Sequence, residues 1–232
     1  MTDFDFNKII DEYISSERES DKKELIISKY SASMLGACVR QNYYNYTDPQ
    51  DFDTEKLKIF EMGNVVHDWV AKVLSKTPSV KFVTSEKELA LEDFESGLLI
   101  SGRLDDLILL KKSDGSDDTV VVEVKSAKSL EYIIQPKYPH VLQLMVYLRV
   151  LSHYGVKEGV IIYVDKNTLN TKTFKVAYDH NILLDAVKRA RTLHKYLVEK
   201  TLPPAAAKID PLEKWQCKFC GYADQCNKDG LK

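Results

Sequence analysis

The segment "TVVVEVKSA", residues 119–127, decides the fold. Its valines at 120, 122 and 124 share one face of an extended strand, whereas Glu123 and Lys125 lie on the other. A β-branched run this apolar predicts a buried central strand. Burial of a carboxylate and an ammonium is costly unless they are paired or bind a cation, so the segment indicates a functional site. The alternative is a half-exposed strand on which both charges are solvated.

The preceding strand, "LLISGRLDDLILLK" at residues 98–111, predicts a hairpin with this segment. An odd-length loop centred on Gly115 would place Asp105 opposite Lys125 and diagonal to Glu123. An even-length loop would send Asp105 to the other face unless a bulge corrected it. Gly102 marks such a bulge or a close approach of the backbone. Strand parity sends the neighbouring Asp106 to the opposite face.

Two carboxylates and a lysine on one sheet face suit a hard divalent cation, Mg²⁺ or Mn²⁺. His67, on a helix predicted over residues 54–75, is a candidate nitrogen ligand. Gly63, one turn earlier, would let that helix approach the sheet closely. The alternative for His67 is a core histidine, because it shares an apolar helix stripe with Val70.

Gln143 and Tyr147 form a polar stripe on the otherwise apolar helix "PHVLQLMVYLRV". They are four residues apart and therefore adjacent on the helix surface. One interpretation is a pair that contacts DNA at the mouth of the site. The other is a helix edge that meets solvent.

The rest of the chain predicts helices packed on a mixed sheet, an α/β or α+β fold. Ser31 or Ser33 is expected to cap a helix that carries Cys38. The other predicted elements are a helix over 4–16, strands within 80–93, 98–111 and 119–127, a helix from Pro139 to near Gly155, two further strands, a helix over 181–200 and a stiff linker at 202–211.

Composition describes an ordinary globular protein of 232 residues, with 44% hydrophobic and 29% charged residues. Its net charge of −2 excludes a global basic surface, so contact with nucleic acid would need a local basic groove. We expect neither a secretory signal nor a membrane span, and the cytosol is the default location.

The four cysteines are interpreted as metal ligands or free thiols, because structural disulfides are rare in the cytosol. Cys217, Cys220 and Cys226 lie together near the end of the chain. Cys38 is the only cysteine left to complete a Cys₄ set, which would clasp the chain end to its beginning. The alternative fourth ligand is a histidine, of which His180 and His194 are the nearest in sequence. Thiolate chemistry alone fits zinc or an iron–sulfur cluster.

The strings "GNVVH", "GRLD", "EVK" and "QLMVY", in this order and with these cysteines, resemble the RecB-like PD-(D/E)XK nucleases. The sequence is most similar to the CRISPR-associated iron–sulfur exonucleases, the fourth of the Cas series, from about residue 30 to residue 227. One departure is that no proline precedes Asp105. The resemblance implies a restriction-endonuclease-like core at 31–202, an N-terminal helical extension at 1–30 and a cysteine segment at 203–232.

The resemblance also implies residue roles. The divalent ion would be bound by His67, Asp105, Glu123 and the carbonyl of Val124, with Lys125 as the catalytic lysine. Gln143 and Tyr147 would support DNA binding and the active site. The ligands of a 4Fe–4S cluster would be Cys38, Cys217, Cys220 and Cys226.

The implied function is a metal-dependent exonuclease acting on single-stranded DNA or on DNA ends with overhangs. The family also trims prespacers, which makes a CRISPR integrase complex an expected partner. The alternatives are a RecB-like repair nuclease and a non-catalytic nucleic-acid-binding module. Candidate DNA contacts are Arg40, Arg103, Lys128 and, by base stacking, Tyr44.

Overall fold

A computed structural model of the protein describes residues 5–20, 25–112, 115–211 and 213–231. The strands are β1 (Lys29–Ser31), β2 (Val80–Asp93), β3 (Leu98–Lys111), β4 (Asp117–Ala127), β5 (Glu158–Asp165) and β6 (Thr171–Ala177). The helices are α1 (Phe6–Ser20), α2 (Val39–Thr47), α3 (Thr54–Lys76), α4 (Tyr138–Leu151), α5 (His180–Glu199), α6 (Ala206–Ile209) and α7 (Ala223–Lys228). No described helix has the length and apolar character needed to cross a membrane.

The six strands form one mixed sheet in the order β1-β3-β4-β5-β6, with β2 paired to β3. Helix α3 packs on one face of the sheet, where Val66 and Val70 join the valines of β4. Helices α4 and α5 pack on the other face over the larger hydrophobic core. This arrangement confirms the predicted α/β fold class.

Strand β4 is a buried central strand, as its sequence predicts. It pairs antiparallel with β3 and parallel with β5. Val120, Val122 and Val124 pack toward α3, and Val121 packs toward α4. Glu123 and Lys125 therefore emerge on the α4 face.

The register of the β3–β4 hairpin differs from the prediction by two residues. Asp106 pairs with Val122 and Lys111 with Asp117, so the hairpin is centred one residue before Gly115. The predicted face is correct because the loop is still odd-length, but Asp105 aligns with Glu123 and not with Lys125. Part of the predicted turn, residues 113–114, lies outside the described residues.

The prediction that Ser31 or Ser33 caps the helix carrying Cys38 was wrong. Ser31 ends β1, a short 3₁₀ turn follows, and Cys38 itself is the N-cap residue of α2. The physical reason is that β1 pairs with β3, which extends the chain where the sequence also permits a helix start. The "stiff linker" likewise contains the short helix α6.

Strand β3 changes neighbours along its length. At its beginning it pairs with β1, up to the pair Ser31–Ser101, and at its end it pairs with β4, from Asp106 onward. Residues 102–105 of β3 therefore have no strand partner on this side among the described residues. This opening, residues 102–105 of β3 between β1 and β4, positions the candidate site.

Candidate active site

Asp105 lies at the inner end of the opening in β3. Its Oδ2 accepts a hydrogen bond of 2.6 Å from the backbone N–H of Val124. Its Oδ1 lies 3.3 Å from Nδ1 of His67. The side chain thus occupies the place of the missing β3–β4 ladder bond, which holds its carboxylate in one orientation.

Glu123 is fully buried beside Asp105 and is contacted by the ammonium of Lys125. Burial raises the pKa of Glu123, and the charge of Asp105 adds to this effect, whereas Lys125 opposes it. Burial acts to lower the pKa of Lys125, but the charges of Glu123 and Asp105 outweigh it and raise that pKa. Two neighbouring carboxylates and one ammonium leave excess negative charge, which a cation would neutralise.

A chain of hydrogen bonds connects Lys125 to the open edge of β3. The ammonium of Lys125 donates to Gln143 Oε1 at 3.3 Å, and Gln143 Nε2 donates to the Tyr147 hydroxyl at 3.0 Å. Tyr147 in turn donates to the carbonyl oxygen of Arg103 at 3.0 Å. Both side chains are buried, so the interpretation of a solvent-facing helix edge was wrong.

Gly102 permits the close approach of Tyr147 to β3. A Cβ atom at this position would lie 2.5 Å from the Tyr147 hydroxyl oxygen, closer than atoms tolerate. The prediction of a close backbone approach at Gly102 is therefore confirmed. Gly63 is different, because a Cβ there would meet only Ser126 Oγ at 3.9 Å. A side chain at Gly63 would thus make an ordinary contact with β4, so the packing of α3 on the sheet does not require a glycine at this position.

His67 reaches Asp105 from α3, on the opposite side of the sheet from α4. Its ring is about three-quarters buried, with 26% of the side chain exposed. Burial acts to lower the pKa of His67, but the hydrogen bond with Asp105 and its charge raise it. Because a proton and a metal ion compete for the ring nitrogen, metal binding at this histidine should weaken as pH falls.

Asp106 faces away from the site, as strand parity predicts. It pairs with Val122 on the α3 face, is 1% exposed, and its Oδ1 has no hydrogen-bond partner in the described structure. Burial raises the pKa of Asp106 to about 7, and the charge of Asp105 contributes. This carboxyl is therefore a source of instability at neutral pH.

Replacing Asp106 by asparagine is expected to stabilise the metal-free protein. In the folded state the carboxyl stays neutral to about pH 7, whereas in the unfolded chain it ionises near pH 4. Stability is thus lost as pH rises between these values, and Asp106→Asn removes the loss. We expect a gain of about 1–2 kcal/mol, or about 3–6 °C in Tm, at pH 8 in EDTA. The gain should vanish near pH 4; an equal gain at both pH values would contradict the explanation.

Glu86 joins this site and was missed from the sequence. His67, Glu86 and Asp105 each offer a ligand atom, and these atoms lie within 4.8 Å of one another. Strand β2 brings Glu86 there, because Ser85 pairs with Asp106 and Lys87 with Leu104. The sequence feature that could have predicted this position is the four-residue turn at 94–97. With that turn length, residue 86 of β2 lies opposite residue 105 of β3.

The candidate DNA contacts divide into exposed and buried residues. Arg103 and Lys128 are exposed, and Arg103 lies beside the site in an ion pair of 2.6 Å with Glu86. Arg40 is 1% exposed and donates hydrogen bonds to the carbonyls of Pro203 and Gly230, so the expectation that it contacts DNA was wrong.

Tyr44 was also misassigned as a DNA contact. The residue is 3% exposed and its hydroxyl donates to Asp229 at 2.6 Å. Its ring packs against Tyr222, with centroids 5.3 Å apart. The aromatic surface needed for base stacking is therefore already covered by the C-terminal segment.

The four cysteines line one cavity between α2 and the C-terminal segment. All four are free thiols. Arg40 points its Nη1 at Cys226 Sγ, 3.7 Å away, and the N–H of Cys38 donates to Gln216 Oε1 at 2.8 Å. His180 and His194 do not line this cavity; His194 instead hydrogen-bonds to Tyr30.

Comparison with protein-family models identifies the family of the chain. Residues 77–227, more than half of the chain, match the family model of the PD-(D/E)XK nuclease superfamily. The chain therefore belongs to the PD-(D/E)XK nuclease superfamily. No curated protein matches the sequence significantly.

Solved structures share the fold at low sequence identity. A protein designated SSO0001 aligns over 96% of both chains with 18% identity and a TM-score of 0.64. A phage-related exonuclease from Haemophilus somnus 129PT covers 74% of this chain and 94% of its own, with 11% identity and a TM-score of 0.50. An alkaline exonuclease from Laribacter hongkongensis covers 83% and 95%, with 15% identity and a TM-score of 0.49.

Proposed function

We propose that the protein is a divalent-metal-dependent exonuclease that acts on single-stranded DNA ends. The observation that carries this proposal is the convergence of His67, Asp105, Glu123 and Lys125 at the opening in β3. These residues come from three elements and both faces of the sheet. A protein that only binds DNA would have no need to bury two carboxylates and a lysine together.

The donor set fits Mg²⁺ or Mn²⁺. Glu123 is buried with its Oε2 lacking a hydrogen-bond partner in the described structure, and Asp105 and His67 are adjacent. These three side chains, with the carbonyl of Val124, would hold the ion. When bound, such an ion stabilises charge on the phosphate and lowers the pKa of a coordinated water.

Lys125 is the residue we assign to the reacting phosphate. Its ammonium is fixed by Glu123 and by Gln143, and its raised pKa keeps it charged. A fixed positive charge of this kind stabilises the charge that develops on the phosphoryl oxygens. Gln143 and Tyr147 are positioning residues in this scheme, because they hold Lys125 and the open edge of β3.

The substrate assignment rests on the groove next to the site. This groove is lined by His67, Asp105, Gln143 and Tyr147 together with Arg103. A strand of DNA lying there would place its backbone against Arg103, and the fold is shared with a phage-related exonuclease. The resemblance of the motifs is the ground on which we propose a role in CRISPR adaptation, with an integrase complex as partner. The same chemistry would serve a repair nuclease.

Digestion of end-labelled single-stranded DNA tests this proposal. Protein purified without oxygen should degrade the DNA with Mn²⁺ but not with EDTA, and the position of the label gives the polarity. Asp105→Asn should be inactive under the same conditions. Binding of DNA without any cleavage by the metal-loaded protein would instead favour the non-catalytic binding module.

We also propose that the cavity lined by the four cysteines binds a 4Fe–4S cluster. The four thiols line one cavity, and the resemblance of the motifs to iron–sulfur exonucleases is the ground for proposing the cluster in place of zinc. Its role would be to join α2 to the C-terminal segment.

A further inference from the structure

Glu86 occupies an unusual backbone position opposite Asp105. The pairs Ser85–Asp106 and Lys87–Leu104 enclose it, but the ladder itself is interrupted at this point. Glu86 has φ of +52°, in the left-handed region that residues other than glycine seldom adopt. The interruption lies directly beside the carboxylate that the proposed mechanism requires.

The side-chain atoms around Glu86 form a set of hard-metal ligands. A Glu86 carboxylate oxygen, an Asp105 carboxylate oxygen and a His67 ring nitrogen all lie within 4.8 Å of one another. An imidazole and two carboxylates from three different elements are a mixed set that divalent ions favour. Of these three residues, the sequence motifs identify only Asp105 and His67 as metal ligands.

A second observation points to a cation at this place. Glu123 is fully buried, and its Oε2 has no hydrogen-bond partner in the described structure. The charges of Asp105 and His67 act on it, so it belongs to the same electrostatic group. A buried carboxylate oxygen without a donor is costly, and a nearby cation relieves that cost.

Arg103 holds the Glu86 carboxylate in this structure. Its Nε lies 2.6 Å from Glu86 Oε2, and the side chains are 62% and 46% exposed. Ion pairs between exposed side chains contribute little, because water and salt screen them. Glu86 is therefore free to exchange this partner for a stronger one. Arg103 lines the groove that would hold DNA, where a phosphate is the matching anion.

We propose that Glu86 is a further ligand of the divalent ion, and that Arg103 holds its carboxylate until the ion binds. Binding of the ion then releases Arg103 to a DNA phosphate, so that metal and DNA binding reinforce each other. This inference rests on the proposed function, since it concerns the same metal site. It adds a ligand and a coupling between metal and substrate.

Titration of the metal-free protein with Mn²⁺ tests the ligand assignment. Glu86→Gln should weaken Mn²⁺ binding about tenfold, because a neutral amide replaces an anionic ligand. Glu88→Gln is the matched control: it makes the same change on the same strand and in the same groove, and should alter affinity less than about twofold. Equal affinities of the two variants would overturn the proposal.

A double-mutant cycle tests the role of Arg103. Arg103→Gln should strengthen Mn²⁺ binding in the wild type, because it removes the competitor for Glu86. In the Glu86→Gln background the same substitution should have no effect. An equal gain in both backgrounds would show only the loss of a nearby positive charge and would overturn the coupling.

Asp105→Asn separates failure of this inference from failure of the proposed function. If Asp105→Asn abolishes Mn²⁺ binding and Glu86→Gln does not weaken it, only the assignment of Glu86 fails. If Asp105→Asn leaves Mn²⁺ binding intact, the proposed metal site itself is wrong. Thermal melting of each metal-free variant confirms that the binding changes do not come from misfolding.

Discussion

Replacing Glu123 by glutamine is expected to reduce cleavage of single-stranded DNA by about 10²–10³-fold or more. Glutamine keeps the size of the side chain but removes the buried anion that lies beside Asp105 and contacts Lys125. The variant therefore loses a metal ligand and one of the two groups that fix the lysine ammonium. End-labelled DNA with saturating Mn²⁺ measures the loss of rate directly.

The control for this experiment is Glu158→Gln. It makes the same substitution on the neighbouring strand β5, at a half-exposed position. Among the described residues, its one ion pair is with Lys175 at 3.8 Å. Its cleavage rate should equal that of the wild type. Lys125 retains its bond to Gln143 in Glu123→Gln, so the variant should fold and melt within a few degrees of the wild type. Cleavage at the wild-type rate by folded Glu123→Gln would remove this carboxylate from the mechanism.

Cys38→Ser is expected to abolish iron binding and to destabilise the fold. Cys38 is the N-cap residue of α2, whereas the other three cysteines come from the C-terminal segment. Its ligand bond would close most of the chain into one loop, and a cross-link of that length contributes about 3–5 kcal/mol. We therefore expect Tm to fall by about 10 °C and iron to fall from about four atoms per chain to near zero.

Lys218→Ala is the matched control for the cysteine variant. Lys218 lies between Cys217 and Cys220 and is exposed, so its removal disturbs the same segment without touching the cavity. Iron content and Tm should both be unchanged. A Cys38→Ser protein with full iron content and unchanged Tm would disprove the clasp. Equivalent loss of zinc in place of iron would keep the clasp and correct the metal.

The alternation of side chains along the strands predicts much of the central sheet and of the candidate site. Alternation along β4 predicted a buried strand with Glu123 and Lys125 on one face, and β4 has that position. Parity also separated Asp105 from Asp106. These inferences succeed because side chains of a strand alternate with a fixed period of two, whatever the sheet around it.

Other features depended on partners that are distant in sequence. The hairpin register was off by two residues, because parity fixes the face but not the position along a strand. The sequence predicts that Arg40 contacts DNA, but its guanidinium is buried against carbonyl oxygens of the C-terminal segment. The sequence also predicts Ser31 as a helix cap, but Ser31 ends β1, which pairs with the distant strand β3.

The sequence by itself determined the order of the longer helices and strands, the face on which the carboxylates lie and the set of cysteines. It did not reveal β1 or α6. Only the tertiary structure decided that β3 opens between β1 and β4, that His67 reaches Asp105 from the opposite side of the sheet, and that Glu86 joins them. The physical reason is the distance along the sequence over which the relevant interactions act. Periodicity is a local property of the backbone, whereas a site at the junction of three strands is set by which distant segments pair and where their pairing ends.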